Sequence, residues 1–151
     1  NLAAASDLSE ATLETILTNV QKIKDDRNIL IGASAKSLHI PVDSWAIADR
    51  IMSSPGNTQT SELQANPNTN AINAIRHLGM LPDGYYINRR FTDTDSYFVK
   101  TDVPNGAKMF NRTPLQTKME PDFDTGNLRF KARERYSFGV SDWRGYFGSA
   151  G

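Results

Sequence analysis

The chain has no cysteine and only two histidines in 151 residues. Without thiols there are no disulfides and no thiolate metal sites, a composition that suits a reducing cytoplasm. His39 and His77 are far apart and unlike in context, so they make no credible metal pair. His77 reads as a dipole partner near a helix carboxyl end. His39, in an apolar strand beside Pro41, reads as a packed or interfacial side chain rather than a general base. Long apolar runs are also missing. Stretches such as Ile29-Leu30-Ile31 are far too short to cross a bilayer and no charged-then-apolar leader precedes them, so no membrane contact is expected. Neither sign of charge is in excess: 17 basic residues balance 17 acidic ones. A dedicated nucleic-acid binder is usually strongly basic, so any such contact here must be a local patch.

Catalytic constellations are lacking as well. Gly32-Ala33-Ser34-Ala35-Lys36-Ser37 holds a lysine-serine pair but not the second glycine of a phosphate loop, and no serine sits in a nucleophile elbow. Asp124-Thr125-Gly126 matches the aspartic-protease triplet, yet Asp122 and Asn127 flank it where apolar residues would bury a catalytic loop. A hairpin turn explains it better. Asp93, Asp95 and Asp102 could be oxygen ligands for calcium, but no glycine marks the sharp turn and Tyr97 takes the next ligand slot, which favours a solvated turn. The sequence therefore predicts no enzyme, no metal and no cofactor.

The remaining residues suffice for one domain with a core, 38% of them hydrophobic. Asp7-Leu8-Ser9-Glu10 has the form of a capping box, and Leu13, Ile16, Leu17, Val20 and Ile23 follow at helical spacing. Residues 30–40 predict a buried strand or two interrupted by Gly32. Pro41 opens a second helix with Trp45, Ala48, Ile51 and Met52 on one side. Residues 53–68, rich in Asn, Thr, Ser and Pro, predict an exposed mobile loop. A short helix follows at 70–78, with Gly79 terminating it. Alternating runs at 85–91, 97–100, 107–111 and 115–120 then read as an antiparallel meander. The expected fold class is α+β, with helices packed on one face of that sheet.

The most informative stretch is residues 128–138. Leu128, Phe130, Ala132, Tyr136 and Phe138 share one strand face, broken only by Glu134, while Arg129, Lys131, Arg133 and Arg135 share the other. Like charges in a row repel unless anions lie opposite, so this face predicts that Arg133 and Arg135 pair with carboxylates of the same or an adjacent subunit, contact with acidic residues of a neighbouring subunit being the leading reading. A solvated edge is the plainer reading, and phosphate contact by a nucleic-acid-binding module is the functional alternative. Paired carboxylates of a carbohydrate hydrolase are not visible. In the tail, Asp142, Trp143 and Arg144 stand among Gly139, Gly145 and Gly148, which allow sharp bends. The segment reads as a latch with Trp143 as its buried anchor and Asp142 or Arg144 finding a polar partner. The subunit-interface candidates are thus Arg129, Lys131, Arg133, Glu134, Arg135, Asp142, Trp143 and Arg144.

Phe123-Asp124-Thr125-Gly126-Asn127, Phe130-Lys131-Ala132-Arg133-Glu134-Arg135-Tyr136-Ser137-Phe138-Gly139 and Asp142-Trp143-Arg144-Gly145 together resemble the carboxyl-terminal part of tailed-bacteriophage major capsid proteins, the HK-ninety-seven-like capsid fold. Asp7-Leu8-Ser9-Glu10-Ala11-Thr12-Leu13-Glu14 leading to Leu38-His39-Ile40-Pro41 is similar to the helix and strand before the axial domain of that family. Thr92-Asp93-Thr94-Asp95 followed by Tyr97-Phe98 fits its sheet edge. The resemblance implies a structural virion protein whose copies form pentamers and hexamers of an icosahedral shell around double-stranded DNA, held by non-specific contact. It implies cement, scaffold or portal proteins as further partners, and a virion location after synthesis in the bacterial cytoplasm. Residues 1–103 would correspond to the axial domain, and 104–151 to a peripheral-domain hairpin and tail. The family's amino-terminal arm, extended loop and spine helix have no counterpart here, and the start at Asn1 without methionine reads as a fragment or processed product.

Overall fold

The computed structural model describes residues 6–56 and 72–150. Most of the loop expected at 53–68 lies outside the described residues.

Helix α1 spans Glu10–Gln21, and its stripe of Leu13, Ile16, Leu17 and Val20 is buried as the spacing predicts. Its capping box sits two residues later than expected. The Ser9 amide donates to Thr12 Oγ1 at 3.0 Å and the Thr12 amide donates to Ser9 Oγ at 3.3 Å. Ser9 has the extended backbone an N-cap needs, which leaves Glu10 inside the first turn and buried. Strand β1 covers only Ala35–Ile40. The preceding Ile29, Leu30 and Ile31 are exposed rather than buried. Asp25 Oδ1 accepts the amides of Arg27 and Ile29, at 2.9 and 2.8 Å, and Asn28 adopts φ +65°. That tight surface turn fixes the segment before any apolar periodicity can act.

Pro41 leads into a 3₁₀ turn at Val42–Ser44 and then α2, Trp45–Ser53, which buries Ala48 and Ile51 but leaves Trp45 exposed. Helix α3 is a single turn, Ala74–His77, with His77 in its last position and Gly79 behind it at φ +59°. Asn73 defines where it begins: its Oδ1 accepts the Arg76 amide at 3.1 Å, and its amide nitrogen donates to the carbonyl of Ile51 in α2. Asn73 is fully buried, so this one side chain both caps α3 and ties it to α2.

Strands β2 (Tyr85–Ile87), β3 (Tyr97–Thr101) and β6 (Tyr146–Ser149) join β1 in a four-stranded sheet of order β2-β1-β3-β6. The fold is α+β. The β1–β3 and β3–β6 pairs are antiparallel, whereas β1 and β2 are parallel because the chain between them passes through α2 and α3, the kind of crossover that parallel neighbours require. Leu38 and Ile40 of β1, with Tyr97 and Val99 of β3, join the α1 stripe, Ala48, Ile51 and Ile75 in one core.

The expected single meander is divided. Between β3 and β6 the chain leaves this sheet and builds a separate ribbon from β4, Ala107–Pro121, and β5, Leu128–Val140. The runs at 107–111 and 115–120 are one continuous strand, since the intervening Pro114 is accommodated at a bulge, where a missing N–H is harmless. Asp124-Thr125-Gly126 is the ribbon's turn, with Gly126 at φ +68° and its amide bonded to the carbonyl of Asp122 at 2.9 Å.

Replacing Asn73 by Ala removes a cap and leaves the Ile51 carbonyl without its buried donor. The expected loss is about 2 kcal/mol in urea unfolding; an unchanged midpoint would show that α3 is not fastened through Asn73.

Candidate assembly interface

The ribbon follows the period of two with two interruptions. Register pairs run from Ala107 opposite Val140 to Pro121 opposite Leu128, with shifts between Asn111 and Thr113 and between Thr113 and Gln116. Each shift adds one residue to β4, and two one-residue bulges restore the original facing. Met109 therefore opposes Phe138, and Met119 opposes Phe130 on the same face. Pro114 and Leu115 together oppose Glu134.

One face of the ribbon is apolar and lies in the open. Phe138 is 73% exposed and Phe130 61%, and Met109, Met119, Leu128, Tyr136 and Val140 are each more than half exposed. Tyr136 and Phe138 make an edge-to-face pair at 5.4 Å. The period of two shows which side chains share this face; that no described residue covers it is visible only in the structure. The core beneath the helices belongs to the other sheet.

The opposite face is cationic. Arg129 lies across from Glu120 and binds Asp122 at 2.7 Å, while Lys118 pairs with Glu120 along its own strand. Lys131 faces Lys118 directly, a like-charge cross-strand pair. Arg133 and Arg135 oppose Gln116 and Thr113. Lys131, Arg133 and Arg135 make no ion pair with any described residue, and neither does Glu134 on the apolar side. Of the two sources of carboxylates expected for the arginines, this chain itself supplies none to Arg133 or Arg135 among the described residues.

The tail candidates occupy the neck where the ribbon joins the sheet. The amides of Ser141 and Asp142 donate to the carbonyls of Gly106 and Asn105, at 3.1 and 2.9 Å, and Thr101 Oγ1 donates to the carbonyl of Arg144 at 2.8 Å. A Cβ on Gly145 would stand 2.6 Å from the Gly106 Cα, so the two crossing chains can touch only because both residues are glycine. Asp142 caps the 3₁₀ turn Trp143–Gly145 through the Arg144 amide, and Arg144 binds Asp26 at 3.0 Å and approaches Asp142 at 3.7 Å. The tail does lock onto its sheet, through β6 pairing with β3 and Phe147 packing on the core. Trp143 is not the anchor expected: its ring is 54% exposed, with the Arg144 guanidinium 5.0 Å from its centroid. The short turn fixes the ring outside the sheet, and the main-chain ladder of β6 does the holding.

On the sheet face away from the α1 stripe, His39 stacks on Tyr86 at 5.4 Å and its Nε2 lies 3.1 Å from Ser37 Oγ. Phe98, opposite His39, meets Phe91 edge-on at 5.6 Å. Partial burial, and secondarily the Lys100 charge, hold the His39 pKa below the ordinary 6.5. A groove of about 340 Å³ between α1 and α3 is lined by Glu14, Leu17, Gln21, Ile75, Leu78 and Met80. Its polar groups include the Glu14 carboxylate and the Thr18 hydroxyl, one helical turn apart on α1. Asp93 and Asp95 form a turn closed on itself, Asp93 Oδ1 accepting the Asp95 amide at 3.2 Å.

His39 sets a pH dependence whose sign follows from its lowered value. The unfolded chain binds the proton more readily, so stability is full above pH 6.5 and falls as the pH drops through 6.5 toward the folded-state value. Lys100→Met removes the lesser cause and should raise the His39 titration midpoint toward 6.5 by NMR without restoring it fully; an unmoved midpoint would leave burial as the sole cause.

No family model matches the sequence, and no curated protein matches it. Among solved structures, a virus-like particle from Pyrococcus furiosus matches over 98% of this chain with a TM-score of 0.50 and 10% sequence identity. The match takes in 56% of that protein's chain, so the present chain spans little more than half its length. The likeness is one of fold: the α+β arrangement described above is shared with the subunit of a particle.

Proposed function

We propose that the protein is a shell-forming structural subunit. The observation that carries this reading is the ribbon, which sets a broad apolar face and, on its other side, the unpaired Lys131, Arg133 and Arg135 into solvent. A two-stranded ribbon standing alone is marginally stable in water, and apolar faces of this extent mark interaction sites. The fold likeness to a virus-like particle supports the same conclusion, and a neutral chain with strong local charge alternation suits symmetric assembly, each copy offering both signs to its neighbours.

The finer reading is a tailed-bacteriophage major capsid subunit, closing pentamers and hexamers of an icosahedral shell around double-stranded DNA. In it the sheet and helices take the axial role and the ribbon the peripheral one, and the tail is shared between them through β6. The protein works without enzymatic chemistry, and its location is the particle itself. Cement, scaffold and portal proteins are its further partners. Arg129, Lys131, Arg133, Glu134, Arg135, Asp142, Trp143 and Arg144 remain the candidates for contact between subunits. The alternative, phosphate binding by the cationic face, has Lys131, Arg133 and Arg135 in its favour and requires retention on duplex DNA that falls steeply with salt.

Electron microscopy of the protein expressed from its complete reading frame should show capsomer rings or closed shells, and a small monodisperse species at high concentration would defeat the reading. Arg133→Glu combined with Arg135→Glu should abolish particles while leaving the melting temperature of the subunit nearly unchanged, because both side chains are far from the core and their carboxylate partners lie on another copy. Normal particles from the double variant would place those partners elsewhere.

A further inference from the structure

We propose that the apolar face of the β4–β5 ribbon is covered by the same face of a second copy of this chain, the two ribbons stacking about a two-fold axis. This rests on the assembly reading and names one contact within it. The face is built as an interface core. Met119, Leu128 and Phe130 on one side of Glu134, and Met109, Tyr136 and Phe138 on the other, share this face in phase across the two register shifts, and a shallow depression of about 440 Å³ lies at its base between Met109, Phe138 and Val140.

The area suits a two-fold pair. At the observed exposures the face offers roughly 900 Å² per copy, against ~800 Å² per partner for an interface of standard size. Charge then selects the occupant. The reverse side of each ribbon carries Lys131, Arg133 and Arg135, so only apolar-to-apolar stacking keeps both cationic faces in water. Stacked sheets lie about 10 Å apart and the cations point away from the join, leaving their repulsion largely screened. Any other stacking of two ribbons sets a cationic face against an apolar or a cationic one, which desolvates charges without a partner.

Glu134 constrains the register. A carboxylate buried at the join without a cation would oppose it, and the bulge directly across from Glu134 bends β4 at that point. The contact therefore consists of two apolar blocks on either side of Glu134, one around Phe130 and Met119, the other around Phe138 and Met109. Such a contact is isologous, and it joins rings rather than closing them, since ring closure needs head-to-tail interfaces.

The absence of native cysteine makes the test direct. Single cysteines at Thr117 or Ala132, which pair across the apolar face, should be joined between copies by a thiol cross-linker of about 10 Å reach, the spacing of stacked sheets. Cysteines at Lys131 or Ser137, on the cationic face, should give only background. Equal or greater cross-linking from the cationic positions would overturn the proposal, as would particles in which the apolar positions are protected from labelling yet never cross-link, because another occupant would then cover the face. Particles by electron microscopy with reactive, unlinked apolar cysteines would sink this contact and spare the shell reading. Cross-linked dimers with no larger species would do the reverse. Phe130→Lys with Phe138→Lys should shift the dimer to monomer in light scattering while the circular dichroism spectrum stays intact; a surviving dimer would also count against the stack.

Discussion

The fold depends on β3 being paired along both edges. Its inner residues Tyr97, Val99 and Thr101 are buried, and it is the strand against which β1 brings the helices and β6 brings the tail. Burial of the α1 stripe on Leu38, Ile40, Tyr97 and Val99 supplies the hydrophobic stabilisation. The main-chain ladder with β6 fixes where residues 141–149 must lie. With those two partners in place, the ribbon has both its roots at neighbouring positions, and the Gly106–Gly145 contact lets the roots cross. The ribbon itself adds little to the core, and its apolar face is left uncovered by the described residues.

This division accounts for what could be read in the sequence and what could not. Helix α1 was legible from Leu13, Ile16, Leu17 and Val20 at helical spacing, although Ile23, the fifth residue of that pattern, lies past its end at Gln21, and Gly79 and Gly126 were legible because the chain turns there through positive φ. The two faces of β5 were equally plain. What periodicity does not contain is whether a face is covered, so the same alternation that marks Leu128 to Phe138 as a strand left open that its apolar side lies in solvent. Trp143 shows the same limit from another direction. The free energy of burying a ring says that burial is favourable, but a capped turn of three residues fixes where the ring can reach.

Other departures arise from local hydrogen bonds that outweigh pattern. Asp25 accepting two amides makes a surface turn of Ile29 and its neighbours, although their hydrophobicity resembles a strand. Asn73 starts α3 later than composition suggests because its side chain is committed to the cap and to Ile51. The bulges in β4 were hidden because two of them cancel, leaving the alternation at both ends of the strand in phase. Of the interface candidates, the cations of β5 stand where the alternation puts them, while the exposed side chains of β4, Met109 and Met119 among them, gave no comparable signal, since their alternation is broken midway at Pro114.

The neck also has a mechanical consequence. Strand β5 has 13 residues, and at about 3.3 Å per residue the ribbon reaches some 40 Å from its roots. Its attachment is narrow, a crossing of two glycines with a few main-chain hydrogen bonds on either side. A long arm on a small base converts angle into distance: a change of about 10° at the neck carries the ribbon tip through roughly 7 Å at that length. Any angular change at the neck therefore moves the apolar and the cationic face of the ribbon together, with the core beneath the helices undisturbed.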